Sequence, residues 1–156
     1  MILLFYGQPA SGKTTLSNKL CEDLADTLCG SMIIKIDGDK WREITKNKDY
    51  SKEGRLNNLK GAFNMALYLE SLGFTPFLSF VTPYEELRTY LRDNAKGLVE
   101  IYLKYSGDRG RNMNFANDFE TPLVDKYSLC FDTSVESVDE CISEIKEFLK
   151  KEYELD

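Results

Sequence analysis

Residues Gly7, Gln8, Pro9, Ala10, Ser11, Gly12, Lys13 and Thr14 stand in the pattern G-x-x-x-x-G-K-[ST], with Thr15 following. That spacing suits a polyphosphate. The glycines let a loop curl until successive backbone N–H groups converge on phosphate oxygens. A helix opening at the end of the loop adds the positive end of its dipole to the same point. In this Walker A pattern Lys13 reaches the outer phosphates and Thr14 offers its hydroxyl to Mg²⁺. ATP and Mg²⁺ are therefore the expected cofactors. Gly7, Ser11, Gly12, Lys13, Thr14 and Thr15 form the expected nucleotide-binding set.

A second group of reactive side chains lies in "DGDKWRE", where Asp37 and Asp39 flank Gly38. A carboxylate beside a phosphate loop can accept a hydroxyl proton or hold magnesium. We expect Lys13, Asp37 and Asp39 to be catalytic and Thr14 with Asp37 to hold the metal. Gly38 is expected to allow a tight turn that aims both carboxylates into the pocket. The chain has no histidine, which excludes a Ser-His-Asp or Cys-His nucleophile and any imidazole-ligated zinc. A GTPase would carry a base-reading N/T-K-x-D stretch, and none is present. A motor or transporter ATPase would end an apolar strand in Asp, whereas "FLSFVTP" ends without an acid. Small-molecule kinases remain.

These residues need elements to hold them. "ILLFY" (Ile2 to Tyr6) reads as a buried strand and Thr14 to Cys29 as a helix, with leucines at 16, 20, 24 and 28. "MIIKI" (Met32 to Ile36) is a second strand. Leu56, Leu59, Phe63 and Leu67 mark a long helix between Ser51 and Leu72, with Gly73 as its C′ residue. Phe74 to Val81 forms a third strand. "TPYE" then signals a helix start, with Thr82 as N-cap, Pro83 at the first helical position and Glu85 completing a capping box. Leu98 to Leu103 and Ser128 to Phe131 are the remaining strands. A last helix turns Val138, Cys141, Ile142, Ile145, Phe148 and Leu149 to one face. Strands alternating with helices predict an α/β fold: a mostly parallel sheet of about five strands with helices on both faces. Its ligands should gather at the carboxyl ends of the strands.

At 156 residues, 42% of them apolar, the chain fits one domain over 1–156. A net charge of −6 argues against nucleic acid or an anionic membrane as partner. No apolar run is long enough to span a bilayer. The four cysteines (21, 29, 130 and 141) form no C-x-x-C pair, so buried, reduced thiols and a cytoplasmic home are expected.

In order and approximate spacing the motifs resemble the adenylylsulfate (APS) kinase family of P-loop kinases. The family's phosphate loop is followed by "DGDxxR", matched here by Asp37, Gly38, Asp39 and Arg42. Its "R-x-x-N" is matched by Arg55 and Asn58, and its "F-I-S-P" by Phe80 to Pro83. Its "N-F…Y-E-x-P" is matched by "NFANDFETP", Asn114 to Pro122, with "FDTS" near the last strand. The resemblance implies transfer of the ATP γ-phosphate to the ribose 3′-hydroxyl of a small nucleotide. Asp39, Arg42, Arg55, Asn58, Phe80 and Phe115 would bind the acceptor, with the two phenylalanines embracing its base. A homodimer is one assembly that the resemblance suggests. The chain departs from the family in its lid: only "KYSGDRGRNM" (Lys104 to Met113) stands where a longer basic lid is usual, leaving Arg109 and Arg111 as lid candidates. The family's "IRR" is replaced by "LKG" (Leu59 to Gly61). A related branch acts on cytidine diphosphoramidate, so the acceptor is APS or another such nucleotide. A non-nucleotide metabolite as acceptor, and a non-catalytic ATP-binding regulator, are the alternatives.

Overall fold

The computed structural model describes residues 1–25, 33–107, 110 and 115–153. Its elements run β1 (Ile2–Tyr6), α1 (Lys13–Leu24), β2 (Ile33–Asp37), α2 (Gly38–Thr45), α3 (Lys52–Ser71), β3 (Thr75–Phe80), α4 (Glu85–Asn94), β4 (Leu98–Lys104), β5 (Leu129–Asp132) and α5 (Val138–Tyr153). The five strands form one sheet in the order β2-β3-β1-β4-β5, and every neighbouring pair is parallel. The α/β architecture expected from the alternating pattern is the one observed.

The register explains why strand ends matter. Tyr6 lies opposite Phe80 on one side and Tyr102 on the other, while Asp37 lies opposite Ser79. The last residues of β1, β2, β3 and β4 thus share one edge of the sheet. The chain leaves central β1 towards β2, returns through β3, and only then crosses to β4 and β5. This reversal opens a crevice at the carboxyl end of β1, where open parallel sheets bind ligands.

Both faces of the sheet are covered. Leu16, Leu20 and Leu24 of α1 and Cys141, Ile142, Ile145 and Leu149 of α5 pack on Leu3, Phe5, Val99, Ile101 and Phe131. On the other face, Leu59, Ala62, Phe63 and Ala66 of α3 and Leu87 and Leu91 of α4 cover Ile2, Leu4, Tyr6 and Leu78. β1 is buried along its whole length, which accounts for its unbroken apolar run. α3 ends in a Schellman motif: Phe74 N–H donates to Leu69 O at 3.1 Å and Gly73 N–H to Glu70 O at 3.0 Å. Gly73 takes φ +90°, so this C′ glycine stands where the sequence placed it.

Three expectations need correction. The first helix closes at Leu24, and Cys29 lies outside the described residues, as does Met32 of the second strand. "DGD" is not a tight turn. Gly38 opens α2, and Asp37 caps it by accepting N–H bonds from Asp39 (3.0 Å) and Lys40 (3.3 Å). Glycine eases the packing there, because a Cβ would stand a tight 3.1 Å from Phe80 Cδ1 and 3.2 Å from Ser79 O. "TPYE" does not cap α4 as the local pattern suggested. The helix begins at Glu85 behind Tyr84, which provides no side-chain cap. The capping carboxylate comes from far along the chain, with Glu85 N–H donating to Glu120 Oε2 at 2.6 Å. Thr82 sits before the helix at φ +46°, away from the extended backbone that a side-chain N-cap usually takes. Among the described cysteines only Cys141 is fully buried; Cys21 and Cys130 are half-buried and all three are free thiols. No described helix is long and apolar enough to cross a membrane.

Candidate active site

A cavity of about 360 Å³ opens at the carboxyl edge of the sheet. Gly12, Lys13, Thr14 and Thr15 line it on one side, and Asp37 and Asp39 stand beside them. Arg42, Arg55, Asn58 and Phe80 line the other side. Ten residues expected to act together from four separate stretches therefore meet in one space.

The phosphate loop is shaped by residues with positive φ: Gly7 at +148°, Ala10 at +64° and Gly12 at +97°. Gly7 is pressed so tightly against β4 that a Cβ would lie 2.2 Å from Leu103 O. It and fully buried Ser11 form the base of the loop rather than the cavity wall. Gly12 is the N-cap of α1 and brings no side chain to its first turn, a helix end suited to an anion. Thr133, in the "FDTS" stretch after β5, braces the loop from outside: its hydroxyl donates to Ser11 O at 2.9 Å and its methyl lies 3.6 Å from a Cβ placed on Gly12. Lys13 Nζ folds back onto the loop, donating to Gln8 O at 2.7 Å and Gly7 O at 3.1 Å. An ammonium held by neutral carbonyls can be transferred to a phosphate at small cost, since a charged oxygen is the stronger acceptor.

Thr14 and Asp37 stand in contact. The Thr14 hydroxyl donates to Asp37 Oδ2 at 2.6 Å, while Oδ1 caps α2. A hydroxyl and a carboxylate meeting at the phosphate loop are the hard oxygen donors that Mg²⁺ takes alongside phosphates. Among the described residues no cluster of three or more His, Cys, Asp or Glu could form a metal cage.

The opposite wall is cationic and partly aromatic. Arg42 Nη1 is tethered to Asn47 Oδ1 (2.8 Å) and Asp49 O (3.0 Å), and Arg55 Nε to Tyr50 O (3.0 Å). Tyr50 carries both guanidiniums on its ring, Arg42 at 4.3 Å and Arg55 at 5.7 Å from the centroid. Asn58 is 6% exposed and Thr82 fully buried. Asn58 Oδ1 and Thr82 Oγ1 have no hydrogen-bond partner among the described residues. Buried polar atoms rarely stay unpaired, and these two belong to residues that line the cavity, where a small shift would let a polar ligand reach them.

The sequence profile of the adenylylsulphate kinase family matches residues 1–114. The chain belongs to that family. It is 27% identical to the adenylyl-sulfate kinase of Pseudomonas entomophila over 93% of this chain and 78% of that protein. It is 30% identical to the cytidine diphosphoramidate kinase of Campylobacter jejuni, over 66% of this chain and 59% of that one. With the adenylyl-sulfate kinase of Picosynechococcus it shares 35% identity, over 64% of this chain and only 55% of the relative's length. The structure of the Mycobacterium tuberculosis APS kinase with AMPPNP and APS superposes with a TM-score of 0.81 at 19% identity, covering 96% of both chains. A Sinorhizobium meliloti gluconokinase superposes with a TM-score of 0.67 at 17% identity, over 97% of this chain and 93% of that one.

Within this family fold one expected acceptor-binding residue stands apart from the cavity. Phe115 is half-buried and is not among the lining residues. Arg109 and Arg111 lie outside the described residues. Tyr50 takes the aromatic place beside Phe80 instead, although no motif pointed to it. Its signal was its position, an aromatic eight residues after Arg42 and five before Arg55. Arg88 was also missed. It is fully buried and bonds Thr82 O (2.8 Å), Glu120 O (2.6 Å) and Glu85 Oε2 (2.9 Å). Burial and the adjacent Asp118 carboxylate push the Tyr84 phenol up to about 12, so it remains a donor to Asp118 at 2.7 Å.

Proposed function

We propose that the chain is an ATP-dependent kinase that passes the γ-phosphate to the ribose 3′-hydroxyl of a small nucleotide, APS or a relative such as cytidine diphosphoramidate. The observation that carries this reading is the single cavity in which Lys13, Thr14 and Asp37 face Arg42, Arg55 and Asn58. Gly12, Lys13 and the first turn of α1 would hold the β- and γ-phosphates. Thr14 and Asp37 would hold Mg²⁺, which neutralises charge developing on the transferred group. Asp37, with Asp39 beside it, would take the proton of the attacking hydroxyl once Thr14 turns to the metal. Arg42 and Arg55 would grip the acceptor's anionic groups. Asn58 Oδ1 and Thr82 Oγ1 would gain the partners they lack. Phe80 and Tyr50 offer rings to the acceptor's base, and Phe115 would join them only after moving to the cavity.

A smaller, non-nucleotide acceptor has one observation in its favour, the absence of Phe115 from the cavity wall. Both readings are tested by ADP release with Mg·ATP against APS, cytidine diphosphoramidate, plain nucleotides and gluconate, with Lys13→Ala as control. Turnover with either nucleotide, lost in the control, is the expected result. Turnover with gluconate alone would overturn the nucleotide assignment. ATP binding without turnover on any acceptor would favour a non-catalytic regulator.

A further inference from the structure

Gln8 is the second residue of the phosphate loop, yet it is not among the residues that line the cavity. Its amide pairs edge to edge with the peptide of Ala116, 108 positions away. Nε2 donates to Ala116 O at 2.9 Å, and Ala116 N–H donates to Oε1 at 3.1 Å. A primary amide that satisfies both backbone groups of one residue fixes that residue's position and orientation, which a single bond cannot do. Meanwhile the backbone carbonyl of Gln8 accepts Lys13 Nζ at 2.7 Å. One residue therefore holds the loop's lysine with its main chain and a distant segment with its side chain.

The distant segment leads to the acceptor wall. From Ala116 it runs through Asp118, which accepts from the Tyr84 hydroxyl, to Phe119, stacked on Tyr102 with centroids 6.1 Å apart. It ends at Glu120, whose N–H donates to Pro83 O at 2.8 Å and whose carboxylate caps α4. Pro83 and Thr82 line the cavity. The path Lys13–Gln8–Ala116–Glu120–Pro83 thus joins the two sides of the site through hydrogen bonds and chain alone, without crossing the cavity.

We infer that Gln8 is a positioning residue that couples occupancy of the phosphate loop to the placement of the 116–120 segment and, through it, of the acceptor wall. This role rests on the phosphoryl-transfer reading given above. When phosphates draw the Lys13 ammonium off the carbonyls of Gly7 and Gln8, the Gln8 peptide loses its charged partner. The clamp on Ala116 then passes the resulting shift to the strap. Phe115 is the residue directly before the clamped peptide, so its distance from the cavity is set by the same two bonds.

The test compares wild type with Gln8→Leu, which keeps bulk and loses both bonds, and Gln8→Glu, which keeps only the acceptor for Ala116 N–H. Hydrogen exchange of peptides covering 116–120 is followed with and without Mg·AMPPNP, alongside its Kd and the KM of APS and cytidine diphosphoramidate. In wild type the nucleotide should change exchange in that segment. In Gln8→Leu the change should vanish while AMPPNP Kd stays within about threefold, and the acceptor KM should rise up to about tenfold if the worth of the two partly buried hydrogen bonds is passed on to the acceptor. Gln8→Glu should fall between. An equal nucleotide response in wild type and Gln8→Leu would overturn the coupling, as would ATP and acceptor KM values that shift by the same factor. If neither acceptor turns over, the exchange arm decides for or against the clamp on its own. Failure of wild type to bind AMPPNP would instead overturn the phosphoryl-transfer reading and the clamp's role together.

Discussion

Asp37 has two duties in the structure, and substitution can separate them. Oδ1 caps α2 through the N–H groups of Asp39 and Lys40, and Oδ2 accepts the Thr14 hydroxyl at 2.6 Å. Asn at this position is as good an N-cap as Asp, and its Nδ2 can donate to Thr14 in place of the present bond. Asp37→Asn should therefore keep the helix and the fold while losing the charge that would hold metal and accept a proton. Asp37→Ala loses the cap as well, at about 0.5–2 kcal/mol. At about 2–4 °C of melting temperature per kcal/mol for a chain of this size, that is a fall of about 1–8 °C. General-base assistance is worth about 10²–10⁴ in rate, so both variants should lose at least about a hundredfold in kcat. The assay pairs calorimetry with coupled ADP release on the acceptor that wild type turns over. Asp37→Asn keeping more than a third of wild-type kcat would refute the chemical role. A melting point for Asp37→Asn as low as that of Asp37→Ala would refute the separation of cap from chemistry.

Arg88 is fully buried and donates to two main-chain carbonyls and to Glu85. Arg88→Met keeps much of its volume but leaves the Thr82 and Glu120 carbonyls without this donor, while Glu85 keeps Arg92, so stability should fall by about 3 kcal/mol and Tm by about 6–12 °C; thermal denaturation showing no loss would contradict this account. Glu70 is also buried. Burial raises its pKa, but the N–H groups of Lys96 (2.9 Å) and Gly97 (3.2 Å) and the Met1 amino group outweigh that, and the net value lies below the ordinary 4.5. Because the folded pKa is depressed, the stabilisation is complete above about pH 4.5 and is lost as pH falls through the lower folded value. In urea titrations the stability gap between wild type and Glu70→Gln should be full at pH 7 and narrow towards pH 3, and a gap independent of pH would remove Glu70 from the acid response.

What the sequence disclosed and what it hid follow from the range of the interactions involved. β1 was legible to the residue because a strand buried on both faces has nothing but apolar side chains, and the phosphate loop was legible because its backbone demands glycine at fixed places. Gly73 was legible for the same reason. Motif order brought Asp37, Arg42, Arg55, Asn58 and Phe80 to one cavity: Asp37, Arg42 and Phe80 lie at or soon after strand ends, and Arg55 and Asn58 lie in the first two turns of α3. The start of α4 was misread because its cap is tertiary: "TPYE" carries local capping signals, but the carboxylate that satisfies Glu85 N–H belongs to Glu120, 35 residues on. Thr82 lies two residues before the N-cap position, which Tyr84 takes, with its carbonyl held by Arg88 and its φ positive. Tyr50 and Gln8 escaped for a related reason. Tyr50 belongs to no motif and Gln8 fills a position that the phosphate-loop pattern leaves open, and each matters through what it touches, a pair of arginines in one case and a peptide 108 residues away in the other. The phosphate-loop side of the cavity was therefore readable from spacing alone. If the proposed coupling holds, the acceptor side also depends on the path of the 115–120 segment, and Gln8, Tyr84 and Arg88, which bond that segment, are where a change of acceptor would be written without altering the motif residues.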